Sequence, residues 1–110
     1  VDYEGWTVWK CGVWSQGPSL LQSLRTLEGS GIGEMDLVGA DFAHRVVETM
    51  KLSFADREAY YGDPAHSDIP VETLLSRDYA AERRALVQAL ARAWLLPTGN
   101  GQPARPEWHR

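Results

Sequence analysis

The sequence has one cysteine and no long apolar run, and each shortage excludes a class of protein. Cys11 alone rules out an internal disulfide and a metal site built from several cysteines. No apolar stretch approaches the roughly 18–20 residues of a membrane span. The first residues have neither the basic start nor the apolar middle of a signal peptide. They also lack an initiator Met, so we expect a chain cut from a longer one.

Positive charge is scarce as well. Eleven Lys and Arg face 15 Asp and Glu, and the formal net charge of −4 argues against a nucleic-acid partner. The one basic cluster, Arg83, Arg84 and Arg92, is predicted to be a solvated helix face because Asp78 and Glu82 lie among its members. With 44% hydrophobic and 24% charged residues, the 110-residue chain is predicted to be one globular domain or part of one.

Aromatic residues concentrate at the N-terminus. Residues 3–14 contain Trp6, Trp9 and Trp14 together with valines, and glycines bound the segment. This composition predicts one or two short strands. Three tryptophans in nine residues also form a large apolar surface that something must cover.

The first helix is predicted over residues 18–28. Pro18 suits the first helical position, because the N–H that it lacks has no partner there. The leucines at 20, 21, 24 and 27 form one apolar stripe, and Gly29 follows where helices commonly end.

Two further helices and a short helical turn follow. The longest helix is predicted over residues 40–61, ended by Gly62-Asp63-Pro64, and a short turn over 69–75 leads to Ser76, the predicted N-cap of a helix over 77–93. The buried stripe of the long helix is predicted to contain Phe42, Val46, Val47, Met50 and Phe54. That of the last helix is predicted to contain Tyr79, Leu86, Leu90 and Trp94.

Prolines and glycines recur from Pro97 to Pro106. They predict an extended or disordered tail over 97–110, after a domain over 1–96.

Two residues are candidate nucleophiles. Ser15 precedes a helix, but a nucleophile elbow needs G-x-S-x-G and Val13 takes the first glycine position, so we interpret Ser15 as a turn serine. Cys11 lacks an evident base, and we expect a small, buried or half-buried residue.

Two groups are candidate metal ligands. His44 and Glu48 are four residues apart without a third ligand, so a surface hydrogen bond or weak ion pair is favoured. Asp56, Asp63, His66 and Asp68 lie close in sequence but lack the EF-hand pattern. We predict instead that Asp63 and Pro64 form a turn and that Asp56 pairs with a nearby arginine.

The glycines at 29, 31 and 33 resemble part of a phosphate-binding loop. The third glycine is misplaced and no helix follows at once, so a loop without phosphate is favoured.

Three stretches of the chain together resemble the γ-glutamyltransferase (γ-glutamyltranspeptidase) family. They are residues 5–18 with the leucine-rich helix ending at Gly29, residues 40–64 with the signature Ala-Asp-Arg-Glu-Ala-Tyr-Tyr-Gly-Asp-Pro at 55–64, and residues 69–80. The resemblance covers about residues 3–88, and both the order and the spacing agree.

The resemblance implies a fold and an activity. The fold is an α-rich α+β fragment of the N-terminal-nucleophile hydrolase αββα sandwich, with three to four helices and a short N-terminal β element. Family members cut themselves into two subunits and use the new N-terminal Thr of the small subunit to move a γ-glutamyl group from glutathione or a related amide to water or an amino acid. Relatives include cephalosporin acylases.

The same resemblance places this chain late in the large subunit, before the cleavage point. Thr98 lacks the context of the nucleophile, and the arginine that holds the substrate carboxylate lies upstream. We therefore expect no catalytic, substrate-binding or metal residue here, no cofactor, and no activity of the chain alone.

The expected partners are the rest of the large subunit and the small subunit. The isolated chain is expected to self-associate through Trp6–Trp14 or the leucine face of the first helix. The alternative is a non-catalytic scaffold or interaction module.

Overall fold

A computed structural model describes the backbone of residues 1–95 and the side chains of residues 1–91. Its elements are the strands β1 (Asp2–Tyr3) and β2 (Trp6–Thr7), the helices α1 (Gly17–Leu27), α2 (Ala40–Tyr60), α3 (Val71–Leu74) and α4 (Arg77–Leu95), and a 3₁₀ turn at Ile32–Glu34. The helix-rich architecture with a short β element is confirmed. The predicted tail over 97–110 lies outside the described residues.

The two strands form a tight antiparallel hairpin in which Asp2 pairs with Thr7 and Tyr3 with Trp6. Its turn places Glu4 at φ 48° and Gly5 at φ 84°. Positive φ at both central positions matches the right-handed twist of the strands, and Gly5 adopts it at little cost. The Thr7 hydroxyl donates to Asp2 Oδ1 over 2.7 Å, which fixes the register.

The helices begin and end where local signals predict. Pro18 stands in the first turn of α1, and Gly29 follows the helix at φ 70°, a left-handed conformation that favours glycine. Ser76 caps α4, since the Tyr79 N–H donates to its Oγ over 3.2 Å.

The core is formed where α1 packs on both α2 and α4, and α2 on α4. It is unusually polar. The buried polar residues are Ser19, Gln22, Ser23, Thr26, Glu48, Thr49, Ser53 and Asp56, whereas the buried hydrophobic ones are Leu21, Leu74, Ala80 and Val87. On α1 and α2 these residues recur at helical spacing, and the hydroxyls of Ser23 and Ser53 meet across the α1–α2 contact.

The stripe predicted for α2 is wrong. Val47, Met50 and Phe54 are 52%, 42% and 43% exposed, while Phe42 and Val46 are half-buried. The apolar face of α2 points away from α1, because the polar face takes that contact instead.

The other two stripes are only partly correct. On α1, Leu21 is buried and Leu24 and Leu27 are half-buried, but Leu20 is exposed. On α4, Leu86 is exposed and Val87 takes the buried position. Tyr79 and Leu90 are half-buried, and the side chain of Trp94 lies outside the described part.

The tryptophans of the N-terminal segment are uncovered. Trp6, Trp9 and Trp14 are 77%, 85% and 75% exposed. The segment nevertheless meets the start of α1 closely, because a Cβ on the buried Gly17 would lie 2.3 Å from the carbonyl oxygen of Cys11. Only glycine allows that approach. Within residues 1–95, no helix combines the length and apolarity that crossing a lipid bilayer requires.

Candidate functional site

A buried carboxylate connects three helices. Asp56 of α2 is 2% exposed. Its Oδ2 accepts from Gln22 Nε2 of α1 over 2.9 Å, and its Oδ1 accepts from the Tyr79 hydroxyl of α4 over 2.9 Å and from Arg83. Tyr61 closes the group by donating to Gln22 Oε1 over 2.5 Å. We call these five residues the Asp56 cluster.

Helical spacing assembles this cluster. Tyr79 and Arg83 are four residues apart on α4, so both side chains reach the same point on α2. Arg83 also donates to the Tyr79 hydroxyl, and its guanidinium carbon lies 4.8 Å from the centre of the Tyr79 ring. The predicted pairing of Asp56 with an arginine is confirmed.

The electrostatics of the cluster favour a neutral Tyr79 and a charged Arg83. Burial raises the pKa of Tyr79, and the hydrogen bond to Asp56 raises it further, so the phenol keeps its proton. Burial opposes the charge of Arg83, but the Asp56 carboxylate and the Tyr79 hydroxyl together raise the pKa of Arg83. Burial also raises the pKa of Tyr61.

Both oxygens of Asp56 are thus occupied by protein donors. A general base must have an oxygen within reach of a substrate proton, and a carboxylate held by an amide, a phenol and a guanidinium does not offer one. The arrangement joins three helices.

Arg84 extends the same α4 face onto the end of α1. Its Nε and Nη2 donate to the carbonyls of Thr26 and Arg25 over 2.9 and 3.1 Å. A cation there complements the negative end of the helix dipole. The prediction of a solvated face is therefore wrong for Arg83 and Arg84, which bind helix partners, and the side chain of Arg92 is not described.

Ser15 lies in a turn, as predicted. Its hydroxyl donates to the carbonyl of Gly12 over 2.9 Å and accepts from the Gly17 N–H over 3.0 Å. These bonds fix the entry to α1. The residue borders an open cleft of about 620 Å³ that Trp14, Arg57 and Tyr61 also line.

Cys11 is exposed, so the prediction of a buried or half-buried residue is wrong. The reason is that the strands end at Thr7 and leave Cys11 in the open segment before α1.

The predicted contact between His44 and Glu48 is also wrong. Glu48 is buried and accepts from Lys51 Nζ over 2.9 and 3.1 Å. Within residues 1–91 the buried Nε2 of His44 has no hydrogen-bond partner. The ammonium one turn further along α2 therefore replaces the imidazole as partner of Glu48.

The Asp63 loop is a turn, as predicted. Asp63 Oδ1 accepts from the Ala65 N–H over 2.9 Å, and its carbonyl accepts from the N–H groups of His66 and Ser67 over 2.9 Å each. Asp56 is committed to its own cluster. Across the described residues, no three His, Cys, Asp or Glu side chains gather as metal ligands.

The glycine-rich segment forms a loop with a single 3₁₀ turn. Gly29 and Gly31 have φ of 70° and 76°, and α2 begins only at Ala40. Thr98, for which no role is predicted, lies outside the described residues.

The polar core was not predicted, because a search for apolar periodicity does not detect a face made of polar residues. Ser19, Gln22, Ser23 and Thr26 repeat at the spacing of one helix face, and so do Thr49, Ser53 and Asp56. Small hydroxyl residues at that period are a usable signal for closely packed helices.

Known proteins contain a similar sequence as part of longer chains. The sequence model of γ-glutamyltranspeptidase matches residues 1–105. An acylase ACY 1 proenzyme of Pseudomonas sp. (strain SE83) is 37% identical over 91 residues, which are 82% of this chain and 16% of that protein. The glutathione hydrolase-like YwrD proenzyme of Bacillus subtilis is 38% identical over 74% of this chain and 15% of its own length.

A solved structure shows a similar arrangement. The γ-glutamyltranspeptidase of Helicobacter pylori superposes with a TM-score of 0.74 and 26% identity. The match covers 79% of this chain and 25% of that one. The chain thus spans about a sixth of the curated relatives named above.

Proposed function

The chain belongs to the γ-glutamyltranspeptidase family, and from that membership we propose that it is a supporting part of an enzyme that transfers γ-glutamyl groups. The donor is glutathione or a related amide, and the acceptor is water or an amino acid. The observation that carries the proposal is the family match over residues 1–105 in a chain that spans about a sixth of its relatives.

We propose further that this chain supplies no catalytic group. Three features support this. Ser15 is held in a turn by two backbone groups, Asp56 accepts hydrogen bonds from Gln22, Tyr79 and Arg83, and His44 is half-buried in α2 with its Nε2 enclosed. The nucleophile implied by the resemblance is an N-terminal Thr, which uses its own amine as base and belongs to another part of the precursor.

The place of the chain follows from the same proposal. It lies in the helical layer of an αββα sandwich, late in the large subunit and before the autocleavage point. Its partners are the rest of that subunit and the small subunit. The inward-facing polar core and outward-facing apolar side chains of α2 support a role within a larger body.

The relatives differ in the substrate class that their names indicate. Two similar proteins carry the names acylase and glutathione hydrolase-like protein, which indicate different amides. We propose the γ-glutamyl amide as the substrate of the parent enzyme.

Two measurements test the proposal: the sequence of the full reading frame and the mass of the protein that it encodes. We expect the frame to continue past Arg110 into a segment that begins with Thr after cleavage, and mass spectrometry of the purified protein to find two chains cut before that Thr. A stop codon near Arg110 would instead leave a scaffold or interaction module. An uncut full-length protein that transfers no γ-glutamyl group would also contradict the proposal.

A further inference from the structure

One of the apolar side chains that α2 turns away from α1 lies in a groove. Phe54 lines a groove of about 850 Å³ between α2 and α4, whereas Val47 and Met50 are not part of its lining. Its apolar lining comes from both helices and consists of Leu52, Phe54, Ala55, Leu86, Ala89 and Leu90. Three charged residues, Glu48, Lys51 and Glu58, line it as well.

The pair formed by α2 and α4 has a polar side, which faces α1, and an apolar side, which forms the groove. On the side facing α1, Asp56, Tyr79 and Arg83 are held by hydrogen bonds and an ion pair. On the groove side, Phe54 and Leu86 are 43% and 46% exposed, and the guanidinium carbon of Arg57 lies 5.0 Å from the centre of the Phe54 ring. Contiguous exposed apolar surface of this kind marks a contact site in soluble proteins.

The groove has the composition of a protein–protein interface, with an apolar centre and charged residues beside it. Apolar side chains form its lining, and the charged groups are already neutralised nearby, since Lys51 pairs with Glu48 and Arg57 with Glu58. An apolar partner would therefore bury Phe54 and Leu86 without stripping an unpaired charge of water.

We propose that this groove is where the chain packs against an apolar segment of its own parent polypeptide, outside residues 1–110. The inference rests on the proposed function. Its support is the extent of the likeness. The Helicobacter pylori chain holds a similar arrangement of helices as 25% of its length, so about three quarters of such a chain is available to cover the groove.

A second copy of this chain is the competing occupant. Two copies carry the same formal charge of −4, so their association gains no attraction from net charge. The parent polypeptide, in contrast, presents its covering segment in cis and at high effective concentration. These two points favour the parent segment.

Thiol labelling tests the groove directly in the full-length polypeptide. With Cys11→Ser removing the exposed native thiol, Ala89→Cys places a thiol in the groove and Gln88→Cys places one beside it, on an exposed position outside the lining. Trypsin releases both positions in the peptide 85–92, so mass spectrometry reads each rate without activity.

We expect Ala89→Cys to label at least about tenfold more slowly than Gln88→Cys in the full-length polypeptide, because labelling of a covered thiol requires local opening. In the 110-residue chain the two should label at similar rates. Equal rates in the full-length polypeptide would overturn the proposal. If the Ala89→Cys polypeptide does not fold, Ala55→Cys places the thiol on the α2 side of the same groove.

Two further outcomes are separable. In one outcome, Ala89→Cys is protected in the 110-residue chain, more strongly at higher concentration, but is not protected in the full-length polypeptide. That result would assign the groove to a second copy and overturn the proposal. Protection in a full-length polypeptide that lacks γ-glutamyl transfer would contradict the proposed function and still support the groove contact.

Discussion

Arg83 of α4 and Asp56 of α2 form an ion pair across the interface of the two helices. The carboxylate is buried, and the guanidinium keeps 24% of its side-chain surface exposed. The Tyr79 hydroxyl donates to the same oxygen over 2.9 Å, and Gln22 brings α1 to the other oxygen. One carboxylate thus fixes the relative positions of three helices.

Removing this carboxylate should destabilise the chain more than removing any exposed one. Asp56→Ala leaves Arg83, Tyr79 and Gln22 without their acceptor. We expect a loss of about 3 kcal/mol in the free energy of unfolding, the lower end for buried pairs because Arg83 keeps part of its hydration. Urea unfolding followed by circular dichroism measures it.

The matched control is Glu58→Ala, which removes the exposed partner of Arg57. Exposed pairs contribute little, so its cost should stay below about 1 kcal/mol. Equal costs for Asp56→Ala and Glu58→Ala would show that the Asp56 cluster does not hold the helices together.

The raised pKa of Tyr79 leads to a prediction for the free energy of unfolding at alkaline pH. Burial and the bond to Asp56 raise the pKa of Tyr79 in the folded chain above its ordinary value of about 10. Above pH 10 the unfolded chain therefore releases this proton while the folded chain retains it. Stability is complete below pH 10 and falls as the pH rises through the folded pKa.

The substitution Tyr79→Phe removes this titration. At pH 7 the variant should lose about 1 kcal/mol with the hydrogen bond to Asp56. Between pH 9 and pH 11 its free energy of unfolding should fall less steeply than that of the parent chain. Urea unfolding at each pH measures both quantities, and identical slopes would contradict the role given to Tyr79.

How much of this fold the sequence predicts depends on whether a signal is local. Pro18, Gly29 and Ser76 act through the backbone next to them, so the helices begin and end within about two residues of the predicted positions. The turn at Ser15 is predictable for the same reason. The pairing of Asp56 with an arginine was predictable in kind, but the identity of Arg83 depends on how α4 crosses α2.

The buried faces were not predictable in this way. Apolar periodicity identifies the stripe with Val47, Met50 and Phe54 correctly as one face of α2, but it carries no information about which neighbour that face meets. In this chain the neighbours α1 and α4 take the polar face. A stripe therefore identifies one face of a helix but does not identify the neighbour that the face meets.

One buried hydroxyl offers a test of the polar core. Thr49 is 1% exposed, and its Oγ1 has no hydrogen-bond partner among the described residues. Thr49→Val replaces the hydroxyl by a methyl group of similar size, so it should stabilise the chain by about 1 kcal/mol. Thermal unfolding measures the change.

Ser53→Ala is the matched control on the same helix, because the Ser53 hydroxyl lies 2.9 Å from Ser23 Oγ. It should lower the free energy of unfolding by about 1 kcal/mol. Stabilisation by both substitutions would indicate that the hydroxyl contacts between α1 and α2 contribute nothing.

The exposed tryptophans predict self-association of the isolated chain. Trp9 is 85% exposed, whereas the leucine face of α1 retains only Leu20 as an exposed member. We therefore expect Trp9→Ser to lower the weight-average mass in sedimentation more than Leu20→Ser does. A clean monomer of the unsubstituted chain at high concentration would rule this association out.

We propose that this chain supports the chemistry of a γ-glutamyltranspeptidase without performing it. The most direct test is release of the free aniline from a γ-glutamyl anilide, measured for the 110-residue chain and for the full-length polypeptide at equal concentration. We expect turnover by the full-length polypeptide and none by the 110-residue chain. Turnover by the chain alone would place a nucleophile within these residues and contradict the account.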